Sequence, residues 1–298
     1  MHQVIDDGFI SMLEARDLHI KNPMNGLFGG NRRSSKYGSS AEFADYREYT
    51  PGDDLRRIDW NLYGRFEKLY LKLFVDERQL HHRIYLDASA SMDWGEPNKS
   101  YIALKIAAAL GYLSVEALDR VTFYAIHEDI CEDICQTVVG RESFYNAAGL
   151  LNEVEFFGDG DMGTAINSLE NPGYDDGLAI IISDFLTDSD WENAVDYLLY
   201  KKHEVYLIQV LARDEITPNL SGKLLMLDSE SFGEEDTKNY RSEITRSSVK
   251  AYEEAFIYHQ NEIKKYCASR DVGFITIASD ESIERVLFNK ATETGLIQ

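Results

Sequence analysis

Leu178 to Ile182, inside the stretch GLAIIISDF (Gly177 to Phe185), is an unbroken apolar run ending at Ser183-Asp184. A half-buried strand would alternate; a continuous run is the habit of a parallel strand covered by helices on both faces. Its surroundings agree. SYIALKIAAALGYLSVEAL (Ser100 to Leu118), ESFYNAAGLLNEV, GTAINSLE, DWENAVDYLLYKK, Thr245 to Ser269 and ESIERVLFNKAT read as helices. Between them stand strand-like RIYLD (Arg83 to Asp87), RVTFYAI (Arg120 to Ile126), EVYLIQVLA, KLLMLD and GFITIA, with CQTVV (Cys135 to Val139) as an edge strand. Such alternation predicts an α/β, Rossmann-like fold: a mainly parallel central sheet with helices on both faces.

Charge divides the chain in two. Of 30 Lys/Arg and 52 Asp/Glu, residues 1–86 hold 13 of each, so residues 87–298 carry the whole net charge of −22. An acidic globular part disfavours nucleic acid and suits a cation or a basic protein partner, or serves solubility alone. No apolar run approaches the roughly 20 residues that span a bilayer, and MHQVIDDGFISMLEARD has four acids and no signal-like stretch. Three cysteines, an odd number, fit a reducing compartment, and the expectation is a cytoplasmic protein.

The expected division is residues 1–82, then a domain over 83–298. Residues 4–20 read as an amphipathic helix, Leu27 to Ser40 as a mobile basic Gly/Ser loop, and Lys68 to Val75 as a strand, an N-terminal helix and extended segment expected to pack on the sheet. Between loop and strand, EFADYREYTPGDDLRRIDWNLYGR (Glu42 to Arg65) is dense in paired charges and aromatics. Asp45, Arg47, Asp53, Asp54, Arg56, Arg57 and Asp59 form either a structural clamp anchored by Tyr46, Tyr49, Ile58 and Trp60, or a partner-binding surface.

In open α/β sheets ligands sit beyond the carboxyl ends of the strands. YLDASASM places Asp87, Ser89 and Ser91 there, Asp184 ends a later strand, and Thr164 in DMGTAI falls in a loop before a helix. Five hard oxygen donors suit Mg²⁺, or Mn²⁺ or Ca²⁺. The same Asp and Ser residues are also those that cap helices.

DASAS, with a later Thr and Asp, resembles the metal-ion-dependent adhesion site (MIDAS) of von Willebrand factor A domains. That resemblance implies direct metal contacts from Ser89, Ser91 and Thr164 and water-mediated ones from Asp87 and Asp184. The block Glu42 to Arg65, followed by LYLKLFVDE, closely resembles the family called domain of unknown function 58 (DUF58) over roughly residues 30–290. Membership implies a von Willebrand A-like fold and partnership with a MoxR-type AAA+ ATPase, in chaperone-like assembly or metal insertion. Many relatives begin with membrane segments, which this sequence lacks.

The resulting expectation is a non-enzymatic interaction module whose bound cation receives an acidic side chain of the ATPase or its client. The alternative is a metal-dependent, phosphatase-like hydrolase. Against it, the D-x-D of haloacid-dehalogenase-like phosphatases has Ser89 at its second acid, and neither a Walker-type phosphate loop nor a G-x-S-x-G elbow occurs. His127, Cys131 and Cys135 have a zinc-like spacing, but a strand-turn-strand would spread them, and no fourth ligand stands nearby.

Overall fold

The computed structural model describes residues 5–14, 41–76, 79–169, 177–187, 189–218, 222–227 and 239–297. The chain forms two compact units, one of residues 24–79 and one of residues 1–23 with 80–298. The boundary expected at residue 82 is therefore redrawn, because the first helix, α1 (Asp7–Glu14), buries Phe9, Ile10 and Leu13 in the core of the larger unit. Ile5 and Asn152 also exchange hydrogen bonds there at 2.9 and 3.0 Å. The basic loop from Leu27 to Ser40 and the end of the expected helix, residues 15–20, lie outside the described residues.

The smaller unit is an antiparallel hairpin of β1 (Ala41–Glu48) and β2 (Tyr70–Asp76) bridged by the short helix α2 (Trp60–Phe66). Its charges are used locally. Asp53 accepts from Thr50 N and Thr50 Oγ1 and pairs with Arg47 at 2.6 Å. Asp59 caps α2 through the Asn61 and Leu62 amides, while its other oxygen takes Tyr46 OH and Lys72 Nζ, each at 3.1 Å. Of the expected apolar anchors, Ile58 is buried, whereas Trp60 is 63% exposed. The side chains of Asp45 and Arg57 lie outside the described set.

The larger unit holds a six-stranded sheet of β3 (His81–Asp87), β4 (Arg120–His127), β5 (Ile130–Asp133), β6 (Leu178–Ser183), β7 (Glu204–Leu211) and β10 (Gly273–Ala278), in the order β10-β7-β6-β3-β4-β5. All neighbours are parallel except β5, which returns antiparallel on β4. The edge strand thus lies at Ile130–Asp133 instead of the expected Cys135 to Val139, where only Val138 bridges back to Val121. The reason is the tight Glu128-Asp129 turn, with Glu128 at φ 51°, which sets His127 directly opposite Ile130. KLLMLD forms β8 (Gly222–Leu227), paired with β9 (Asn239–Ile244), a polar strand that apolar patterning does not mark.

Alternation along the strands fills two cores. Ile84, Leu86, Ile180, Ile182, Ile208 and Val210 face α1, α3 (Lys99–Glu116) and α4 (Arg141–Leu151). Tyr85, Ala179, Ile181, Val205 and Leu207 face α5 (Met162–Ser168), α6 (Trp191–Tyr200) and α8 (Arg246–Arg270). Gly111 lets α3 lie close on the sheet: a Cβ there would stand 2.2 Å from Phe123 Cζ. Among the described residues no helix is long and apolar enough to cross a membrane.

Candidate functional site

Strand order locates the site. From β3 the chain moves outward to β4, and from β6 outward to β7 in the opposite direction, so the connections diverge between β3 and β6. At that switch point the carboxyl ends of two buried strands deliver Asp87 and, one residue past β6, Asp184.

Asp87 is almost wholly enclosed. Its Oδ1 accepts the Ser89 amide at 3.0 Å and its Oδ2 accepts the Ser183 hydroxyl at 2.6 Å. Burial pushes its carboxyl above the ordinary range, and the nearby negative charge of Asp184 adds to the rise, against the hydrogen bonds from Ser183 and Ser89. Ser89 begins a single 3₁₀ turn, Ala90–Met92, yet its hydroxyl caps nothing and instead meets Ser91 Oγ at 3.0 Å. Capping therefore explains neither residue, since Ser89 stands at the N-cap without a side-chain cap bond and Asp87 takes only the Ser89 amide two residues on.

Asp184 is committed elsewhere. Its Oδ2 accepts Lys99 Nζ at 2.7 Å and its Oδ1 accepts the Leu186 amide at 2.9 Å. Lys99, the first residue of α3 and 1% exposed, also donates to Glu215 Oε1 at 2.7 Å. Glu215 lies in α7 (Arg213–Ile216), just past β7, with its second oxygen on the Ala212 amide. Burial lowers the Lys99 pKa, but the Asp184 and Glu215 carboxylates together outweigh it and hold the ammonium above its usual range. The Glu215 carboxyl is raised, since burial exceeds what its share of that ammonium restores. The two directions agree: Lys99 has two carboxylates, and each carboxylate has half of one ammonium.

Thr164 is placed differently from expectation. It sits inside α5, not in the loop before it, and the N-cap Asp161 accepts both its amide at 3.0 Å and its hydroxyl at 2.7 Å. The residue of that connection facing Asp87 is Gly160, whose Cβ, if it had one, would lie 3.2 Å from Asp87 Oδ1 and 3.4 Å from Ser89 Cβ. Backbone bonds from Ala90 N to Gly158 O and from Asp161 N to Glu128 O hold the connection there.

These commitments decide whether the expected cation fits. Mg²⁺, Mn²⁺ or Ca²⁺ takes six or more oxygen ligands, part of them waters, and the protein's share must come from side chains that face the site without a cation already on them. Asp184 is paired with the Lys99 ammonium, whose charge opposes a second cation, Thr164 is bonded to Asp161, and Gly160, which faces Asp87, brings no side-chain oxygen. Asp87, Ser89 and Ser91 remain, the two serines bonded to each other. The residues as placed do not fit a resident divalent cation. Among the described residues no three His, Cys, Asp or Glu side chains form a metal-holding group.

Sequence reasoning reached Asp87, Ser89, Ser91 and Asp184 and missed Lys99, Glu215, Ser183 and Gly160. Lys99 does carry a signal: a cation in the first turn of a helix opposes the macrodipole and calls for carboxylates nearby. Glu215 carries one too, four residues past the end of β7.

The fold and site define an α/β domain with a buried, lysine-bridged carboxylate cluster at its switch point. The chain belongs to the family described as "Protein of unknown function DUF58", which it matches over residues 45–261. It is similar to uncharacterized protein Rv1480 of Mycobacterium tuberculosis and uncharacterized protein Mb1516 of Mycobacterium bovis, 28% identical to each over 236 residues, 76% of this chain and 72% of theirs. Among solved structures it resembles the SpRpn10 VWA domain (TM-score 0.42, 9% identity, 72% of this chain and 95% of that one). It also resembles an aerotolerance-related membrane protein from Bacteroides fragilis (TM-score 0.41, 13% identity, 72% and 99%). A manganese-loaded TRAP protein from Plasmodium vivax shows a TM-score of 0.33 at 15% identity, covering 45% and 58%.

Proposed function

We propose that this protein is a non-enzymatic interaction module that engages a protein partner at the rim where β3 and β6 end. One observation carries the reading: among the described residues, the carboxylates at the switch point are matched to the hydroxyl, amide and ammonium donors around them, and none stands free as a base. Ser183 and Ser89 hold Asp87, and Lys99 holds Asp184 and Glu215. Of the described histidines, His81 meets Thr122 and His82 meets Asp119, while His127 stacks on Phe157 and His259 meets the Phe185 carbonyl. A general base needs reach to a substrate proton as well as a suitable pKa. Partly exposed Ser91 supplies the contact point.

The partner in this proposal is the one that family resemblance implies, a MoxR-type AAA+ ATPase or its client, in the cytoplasm. A Mg²⁺-bridged contact is the finer form of the same idea, and the poor fit of the donors speaks against it. The test is capture of the purified cognate ATPase by the full chain in Mg²⁺, in EDTA, and as Ser91→Arg in Mg²⁺. Capture in both buffers and its loss in Ser91→Arg is the expected pattern. Capture unaffected by Ser91→Arg sinks the rim as the contact, and turnover of phosphate esters by wild type that Asp87→Asn abolishes revives the hydrolase.

A further inference from the structure

We infer that Lys99 is itself the cation of this site: a tethered ammonium that balances the strand-end carboxylates where a divalent metal would otherwise be needed. The inference concerns the chemistry of the cluster and stands whether or not the rim engages a partner.

Three relationships support it. Lys99 Nζ reaches Asp184 and Glu215 at 2.7 Å each, joining α3, which follows β3, to the residues just beyond β6 and β7. One positive centre thus ties three strand-end connections together, the mechanical task of a bridging metal. The position is also set by the carboxylates and not by the helix, because the amino end of an 18-residue helix repels a cation. A buried ammonium is tolerated only when paired and hydrogen-bonded, and here both partners lie in direct contact. Finally, the donors that would complete a metal shell are missing from the opposite side, where Gly160 faces Asp87 and Thr164 turns to Asp161.

Loss of the ammonium charge then leaves Asp184 and Glu215 without the counter-charge they share, with Asp87 near Asp184, and a divalent ion completed by waters becomes the replacement. The experiment is titration of the full chain with Mn²⁺, read by the electron paramagnetic resonance of the free ion, for wild type, Lys99→Met, Lys99→Gln and Lys99→Met/Asp87→Asn, with folding followed by circular dichroism. Wild type should take up no stoichiometric Mn²⁺. At least one of the two neutral variants should bind one ion at least tenfold more tightly than wild type, and Asp87→Asn should erase that gain. Stoichiometric binding by wild type that Asp87→Asn removes overturns the inference, as do folded neutral variants that bind no better than wild type. Should neither neutral variant fold, Lys99→Ala is refolded with ethylammonium or Mn²⁺. Recovery with either supports the inference, and recovery with neither overturns it.

Discussion

Ser183 donates its hydroxyl proton to Oδ2 of Asp87 at 2.6 Å, from the last residue of one parallel strand to the last residue of its neighbour. The bond spans the line along which the sheet's connections part, and both side chains are buried. Ser183 Oγ also accepts the Phe185 amide at 3.0 Å, so one hydroxyl shapes the turn after β6 and steadies the carboxyl after β3. Ser183→Ala leaves a buried carboxyl oxygen and an amide without that partner. The expected loss is about 1–3 kcal/mol in urea unfolding, and a change within error removes this bond from any account of the site.

Gly111 and Phe123 set a second prediction. With 2.2 Å between a would-be Cβ and the ring, Gly111→Ala must push α3 off the sheet or turn the ring from its rotamer. Overpacking of this kind costs about 1–3 kcal/mol, and Gly111→Ala/Phe123→Leu should recover part of it. If the double variant is no more stable than the sum of the single losses, the contact is not what requires glycine.

Much of this was legible in the chain. The apolar run Leu178 to Ile182 and the alternation around it specify a parallel sheet, and with it the rim where Asp87 and Asp184 meet. What escaped was set by tertiary geometry. Thr164 and Gly160 stand four residues apart, and only the way Asp161 caps α5 decides which of them faces Asp87. Lys99 and Glu215 are 116 positions apart, so no local pattern announces their pairing.

Asp161 and Thr164 give the corresponding test. Thr164→Val keeps the shape but loses the hydroxyl bond to the cap and should lower stability by about 1 kcal/mol. Capture of the ATPase should be unchanged. A Thr164→Val variant that is stable but loses its partner would return Thr164 to the site.

Asp53 in the hairpin unit should carry an acid-sensitive turn. Hydrogen bonds from the Thr50 hydroxyl and amide, with that from Arg47, lower its carboxyl to about 2, below its ordinary value of 3.8. A depressed folded pKa means stability that is complete above the unfolded value and fades as pH falls through about 2. Carbon-detected titration of Asp53 should show a midpoint near 2; a midpoint near 3.8 contradicts the bonding described.

Burial pushes the thiols of Cys131 and Cys267 up to about 12. Thiolate is the reactive form, so both should react slowly with an aromatic disulfide at pH 8 and promptly once urea unfolds the protein. Prompt reaction of the native protein at Cys267 would place that residue outside the core.

The antiparallel return of β5 has one more consequence. A sheet edge offers unpaired amides and carbonyls to any passing strand, and long, flat, apolar edges lead to stacking between molecules. Here the outermost strand beside β4 is four residues long and presents Glu132 and Asp133 to solvent. A second copy approaching this edge meets like charge and too short a template to zip along, so the sheet is kept from growing into ribbons at this flank.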